Sequence, residues 1–312
     1  MWQPDRVQTA ESRLRELVNH PRRQDRLLRN RPRWLQLCAA MDAIGDTQLA
    51  IRSFLEGAVH TTGDGGSYIV AYGVLQTLYV QQDAAKKIAE VLSIPFAPPE
   101  EIRAIRDTRN AAIGHPADYK GNRSAAIVRV SLSPTGFDLL VYGPEGFDES
   151  RTVNLPSLCR EQTDVIGALL EAANAHLIEE ELVHRRKYRG QTLAAAFTET
   201  LGYALEKVGE GLGNSVRHPL GEWGLSTVED VITQFRSTLA ERGLEGVYAM
   251  SAEPLMQDIS FSVQRLRALL RGEMPQFDER DGRAYLSYLR TQLAQLQEVA
   301  IEIDNEYASD DI

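Results

Sequence analysis

Apolar residues recur at helical spacing through most of this chain, with one stretch that departs from the rhythm. Leu37, Met41, Ile44, Ile51 and Leu55 stand three, four or seven apart, which predicts an amphipathic helix over about residues 34 to 58. Thr61-Thr62-Gly63-Asp64-Gly65-Gly66-Ser67 is expected to break it as a turn. That run lacks the Lys and following hydroxyl of a phosphate-binding loop and follows no strand. A second helix is predicted from near Ser67, with Val74, Leu78, Ala85, Ile88 and Leu92 on its apolar side and the proline-rich Ile94–Pro99 ending it. A third, shorter helix should begin at Pro99 to Glu101, where proline and two acids suit a helix N-terminus, and run toward Gly114.

Beyond Gly114 the period changes from 3.6 to 2. Val128, Val130 and Leu132 alternate with polar residues, Ser133-Pro134-Thr135-Gly136 reads as a turn, and Phe137, Leu139 and Val141 alternate again. This predicts an inserted β-hairpin at about 125–142, with a third short strand over Arg151 to Leu155. Helical spacing returns at Leu158, Val165, Ile166, Leu169, Ala173 and Leu177, for a helix from Pro156 into the mid-180s. Glycines from Gly209 to Gly224 suggest a further break, and Leu286, Leu289, Leu293, Leu296, Ala300 and Ile303 form a heptad-like stripe that needs a covering helix, from this chain or another. The expected fold is mainly α: a basic helical arm over 1–34, a helical bundle with its inserted hairpin over 35–187, and a second, all-helical domain over 190–312.

Composition narrows the function classes. The chain has 312 residues, 43% of them hydrophobic and 25% charged, which is ordinary for a globular protein long enough for two cores. Cys38 and Cys159 are the only cysteines, too few for a disulfide scaffold or a thiolate zinc site, so a reducing, cytoplasmic location is expected. No segment approaches the roughly 18 apolar residues of a membrane span, and no membrane partner is expected. A net charge of −10 argues against a broad nucleic-acid-coating surface. Residues 1 to 36 nevertheless carry nine arginines against four carboxylates. Such an arm either steers an anionic partner or is a solvated surface that meets the acidic remainder of the chain.

The segment that carries chemistry is Ile102-Arg103-Ala104-Ile105-Arg106-Asp107-Thr108-Arg109-Asn110-Ala111-Ala112-Ile113-Gly114-His115-Pro116. Ile105, Arg109, Ala112 and Ile113 follow Ile102 at offsets 3, 7, 10 and 11, so Arg109 falls on the apolar stripe. Arg103 and Arg106 fall off it and are expected to be solvated. A guanidinium on a buried face needs a carboxylate, a ligand or water in a cleft. Gly114 is free to leave the helix, and Pro116 biases His115 away from helical dihedrals. The imidazole can then turn back toward Arg109. An imidazole titrates nearest neutrality, and an arginine fork holds a phosphate without a metal.

Arg109-Asn110, four intervening residues and His115, with the trailing Gly-His-Pro, resemble the signature of the HEPN family, in which an Arg, often followed by Asn, precedes a His by four to six positions. The position of the motif, closing a short helix between long ones, is similar too, and the resemblance spans about residues 35 to 187. It implies a HEPN-like bundle and a metal-independent endoribonuclease acting as a toxin or antiphage effector. Arg109 would stabilise the scissile phosphate, His115 transfer a proton and Asn110 orient the site. The same resemblance implies an RNA substrate, a homodimer whose two copies share one cleft, and an antitoxin or regulatory protein as a further partner. Neither cofactor nor metal is expected. In toxin members a tyrosine close behind the His is modified by the antitoxin; Tyr119 stands two positions beyond that place. The alternative is a catalytically silent HEPN-like scaffold or RNA-binding protein. In a purely structural reading, Arg109 pairs with Asp107 or Asp83 and His115 caps the helix.

Other signals are weaker. His176, Glu180 and His184 share a helix face at metal-ligand spacing, but that helix is heavily charged and reads as a solvated face. Gly209-Glu210-Gly211-Leu212-Gly213 follows no strand and has the wrong glycine spacing for a nucleotide loop, so it is expected to be an interhelical loop. The last domain shows no matched acid, base and phosphate-binding cluster, and its expected role is choice of substrate or partner.

Overall fold

The computed structural model describes residues 5–59, 63–213 and 219–310. The chain divides into two compact units, Met1–Ile178 and Glu179–Ile312. Both are mainly helical, and the first also holds a small antiparallel sheet. Among the described residues no helix is long and apolar enough to cross a membrane.

In the first unit α1 (Arg6–Val18) and α2 (Pro21–Leu28) precede the long helices α3 (Arg31–Leu55) and α4 (Gly63–Leu92). The amino-terminal arginines do not form a separate arm. Val7, Leu14 and Val18 of α1 are fully buried, and Arg6 and Arg15 reach the carboxylates of Glu171 and Asp42. The predicted 34–58 helix is α3. It begins at the Asn30 cap, whose side chain accepts the Arg33 N–H, with proline in the first turn. α4 begins at Gly63, four residues before the expected Ser67, so Gly63 to Ser67 are helical; Thr61 and Thr62 lie outside the described residues. The core also contains an amide cluster that periodicity does not reveal. Gln48, Gln81, Gln82 and Gln162 are all buried, and they link α3 and α4 to the following helix α6 (Leu155–Tyr188) through hydrogen bonds of 2.7 to 3.3 Å. Each buried amide needs such a partner to offset the loss of water.

α5 (Glu100–Arg109) continues without interruption into a π-helical turn, Asn110–Gly114. Next come β1 (Ser124–Ile127), β2 (Gly136–Gly143) and β3 (Gly146–Asn154), antiparallel in that order. The expected first strand over 128–132 is displaced. Residues 129–131 form a 3-10 turn with Val130 96% exposed, and the pairing strand is 124–127, with Ala125 opposite Val141. The third strand is longer than expected and is joined to β2 by a tight hairpin. Phe137, Leu139 and Val141 point from β2 into the core that also buries Ile105, Ala111 and Ala112, so the sheet forms the floor under the motif helix.

The second unit consists of the end of α6, then α7 (Glu199–Leu212), α8 (Pro219–Glu241), α9 (Ala252–Leu270) and α10 (Glu279–Ala308). The heptad-like stripe of α10 is covered from within: Leu286, Leu289, Leu293, Leu296, Ala300 and Ile303 are buried with Val263, Leu266 and Leu205 from α9 and α7. The loop expected at Gly209–Gly213 is instead the last turn of α7, capped by Gly213. Part of the glycine-rich stretch, 214–218, lies outside the described residues. Gly224 sits inside α8, where a Cβ would meet the Ala204 carbonyl oxygen at 2.4 Å. These glycines include positions of close helix crossing, which sequence alone presents as breaks.

Candidate functional site

The site is built where α5 stops being α-helical. In the turn after Arg109, the His115 N–H donates to the Asn110 carbonyl at 2.8 Å, a span of five residues in place of four. On an α-helix, positions 109 and 115 would stand about 120° apart. The π turn changes that register, and turns of this kind concentrate at functional sites. The chain then leaves the helix at His115 (φ −141°, ψ 55°), and Pro116 is tied to the sheet by the Ala125 N–H at 2.7 Å. The turn is therefore held between a buried helix and a strand, with Ala111 and Ala112 as its inward anchors.

Arg109 lies half-buried at the rim of the apolar stripe. Its guanidinium donates to Gln76 Oε1 at 2.9 and 3.3 Å and to Asn110 Oδ1 at 3.1 Å, and it sits 4.3 Å from the centre of the Tyr79 ring. Gly114 supplies its floor: a Cβ there would lie 2.6 Å from Arg109 Nη1. The head of Arg109 thus rests against the residue that immediately precedes His115. The His115 side chain is exposed, and among the described residues it has no hydrogen-bond or ion-pair partner.

The expected ion pair of Arg109 with Asp107 or Asp83 is not formed. Asp83 pairs with Arg106, at 2.8 Å to both terminal nitrogens, while Arg106 stacks 4.2 Å from Tyr79. Arg106 is therefore half-buried and neutralised, contrary to the solvated position expected for it. Asp107 is engaged on the other side of α5. It accepts the Tyr119 hydroxyl at 2.6 Å, Arg151 at 3.2 Å and Lys120 at 2.8 Å. Burial works against the Asp107 carboxylate, but hydrogen bonds from Lys120, Tyr119 and Arg151 outweigh it and hold the carboxyl below its ordinary range. Tyr119 is 1% exposed, so its hydroxyl is a structural donor at this site. Among the described residues Arg109 has no carboxylate partner; its acceptors are two neutral amides.

The structure thus brings Arg109 and Asn110 into direct contact, with the backbone of His115 bonded to the Asn110 carbonyl and its side chain exposed. It adds Gln76 and Tyr79, which sequence reading missed. They are three residues apart on α4, at least thirty positions before Arg109, and no local pattern says which face of α4 meets α5. Elsewhere, His184 is half-buried and its Nε2 lies 2.9 Å from the Tyr307 hydroxyl, not on a solvated face as expected. Among the described residues no three His, Cys, Asp or Glu side chains converge as a metal-binding group.

Compared with models of protein families, with curated proteins and with solved structures, the chain matches none.

Proposed function

We propose that the chain is a HEPN-type, metal-independent endoribonuclease whose site is built on Arg109, Asn110 and His115 and completed by a second copy of the chain at a homodimer interface. One observation carries this reading: a guanidinium fixed by neutral acceptors, with its charge unspent, at the π turn that leads into an exposed histidine. An arginine neutralised by a carboxylate has little left for a ligand. One held by amides and a ring face keeps its affinity for a phosphodiester.

The chemistry follows from the groups present. Among the described residues no three His, Cys, Asp or Glu side chains converge, and in this reading the nucleophile comes from the substrate. The RNA 2′-oxygen attacks the adjacent phosphorus; the new O2′–P bond forms as the P–O5′ bond breaks, leaving a 2′,3′-cyclic phosphate. One His115 takes the proton of the 2′-hydroxyl, and the His115 of the second copy gives a proton to the departing 5′-oxygen. Arg109 offsets the charge that develops on the phosphate. Asn110, bonded to Arg109, keeps the guanidinium over Gly114. A toxin or antiphage role, with an antitoxin or other regulatory partner and a cytoplasmic setting, fits such an activity, and the second unit is assigned to choice of substrate or partner.

The test is cleavage of a defined RNA in excess chelator. The expected result is a product with a 2′,3′-cyclic end and no cutting of the all-deoxy strand, by a protein that light scattering finds dimeric. Loss of cleavage on chelation, or cutting of the deoxy strand, overturns the mechanism. Absence of any cleavage, with tight RNA binding, favours the silent RNA-binding alternative.

A further inference from the structure

Arg109 docks on one edge of α4, and that edge continues past the docking point. Taking 100° per residue, Tyr68, Tyr79, Tyr72, Asp83 and Gln76 fall within an arc of about 80°. Gln76 and Tyr79 hold the Arg109 head. Tyr72 lies one turn before Gln76 and Tyr68 two turns before it, in steps of roughly 6 Å along the axis. Those steps are comparable to the spacing of phosphates in an extended single strand. Tyr72 is 45% exposed, and its ring meets Tyr68 edge to face at 5.9 Å. Among the described residues neither hydroxyl is committed to a carboxylate or carbonyl, whereas Tyr119 and Tyr188 on other elements are tied down through theirs.

We propose that Tyr72, with Tyr68 behind it, is a stacking platform for the bases next to the phosphate held by Arg109, so that the substrate is a single-stranded segment of RNA. The proposal rests on the ribonuclease reading and adds to it which form of RNA is taken and which side chains grip it. Aromatic faces in line with a phosphate-binding cation are how proteins hold unpaired nucleotides, because every base has a π face and a paired base has none free. The two tyrosines occupy the side of the exposed arc that adjoins Arg109. Ile69 and Val80, also exposed, follow about 20° and 40° beyond Gln76, on the far side of it from the tyrosines. Continuity with an unneutralised guanidinium favours a nucleic acid on the tyrosine side over the apolar surface of a second copy.

The experiment uses the full chain and a fully 2′-O-methylated oligonucleotide, which binds but is not cut, as a single strand and as a duplex. Stacking is worth about 1–3 kcal/mol per base, so Tyr72→Ala should weaken single-strand binding by about five-fold or more and Tyr72→Phe by less than about two-fold. The wild type should prefer the single strand. With cleavable RNA, Tyr72→Ala should raise KM and leave kcat near its original value. Should the wild type cut RNA while Tyr72→Ala binds and cuts as well as it does, the platform is overturned and the ribonuclease reading stands. Should Tyr72→Ala turn a dimer into a monomer by light scattering, this face is a self-contact and the platform is likewise overturned. A wild type that neither binds nor cuts RNA removes both.

Discussion

Arg109 and Arg242 are both drawn toward a protein interior, one in each unit, and they are held in opposite ways. Arg242 is 1% exposed. It pairs with Asp304 at 3.2 Å and lies 4.7 Å from the Tyr307 ring, while Asp304 also accepts the N–H groups of Leu193 and Ala194 at 2.9 Å each. Both charges are answered, and the cluster ties the start of the second unit to α8 and α10. Arg109 also has a tyrosine ring, but its hydrogen-bond acceptors are neutral and its position is half-open. Burial with a counter-charge identifies a structural arginine. A fixed guanidinium without one retains capacity for an anion that arrives from solution.

That contrast separates activity from stability. The largest effect expected is on rate: His115→Ala should lose about 10² to 10⁴ in RNA cleavage, with unfolding unchanged because the side chain is exposed and unpartnered. Single-turnover assays and a melting curve on the same preparation check both halves. Arg242→Ala should do the reverse. It leaves the Asp304 carboxylate in a nearly closed site with its main counter-charge gone, a loss of about 3 to 5 kcal/mol by urea titration of the second unit, while the Arg109 site is untouched.

A smaller change sharpens the reading of the π turn. Gly114→Ala would put a methyl where Arg109 Nη1 now lies, so the guanidinium must move off its floor. Displacements of this size cost up to about 100-fold in rate, and the helix should persist in circular dichroism.

The smallest effect concerns Asp107, which marks the structural side of the same helix. Its carboxyl is held below the ordinary range, so the stability it contributes is present above that range and is lost as the pH falls through the lowered value. Asp107→Asn should cost about 1 to 2 kcal/mol at neutral pH. The gap between variant and wild type should begin to narrow as the pH falls below roughly 4, where the unfolded-state carboxylate takes up its proton, and close once the pH is below the lowered folded-state value. Denaturant titrations at the two pH values measure it.

Much of this was legible in the chain. Apolar periodicity located α3, most of α4 and the stripes of α6 and α10, because each of those helices buries one continuous side. The Arg109-Asn110-His115 spacing located the candidate site. What could not be read was decided by contacts distant in sequence. Val128, Val130 and Leu132 alternate convincingly, yet Ser124–Ile127 pairs with β2, since small residues there fit beneath the motif helix. The glycines of α7 and α8 include positions set by helix crossings rather than turns. Gln76 and Tyr79 decide what Arg109 is free to do, and only the packing of α4 on α5 brings them to it.

The central claim is that the uncommitted charge on Arg109 is the phosphate-binding element. The most direct measurement is the single-turnover cleavage rate of an oligonucleotide with one ribose in a deoxy strand, in chelator, for the wild type, Arg109→Lys and Arg109→Ala. Lysine keeps the charge and loses the fork. The account predicts cutting at the ribose alone, with the alanine variant slower by at least about 100-fold and lysine between it and the wild type. An alanine variant that cuts at the wild-type rate would contradict it.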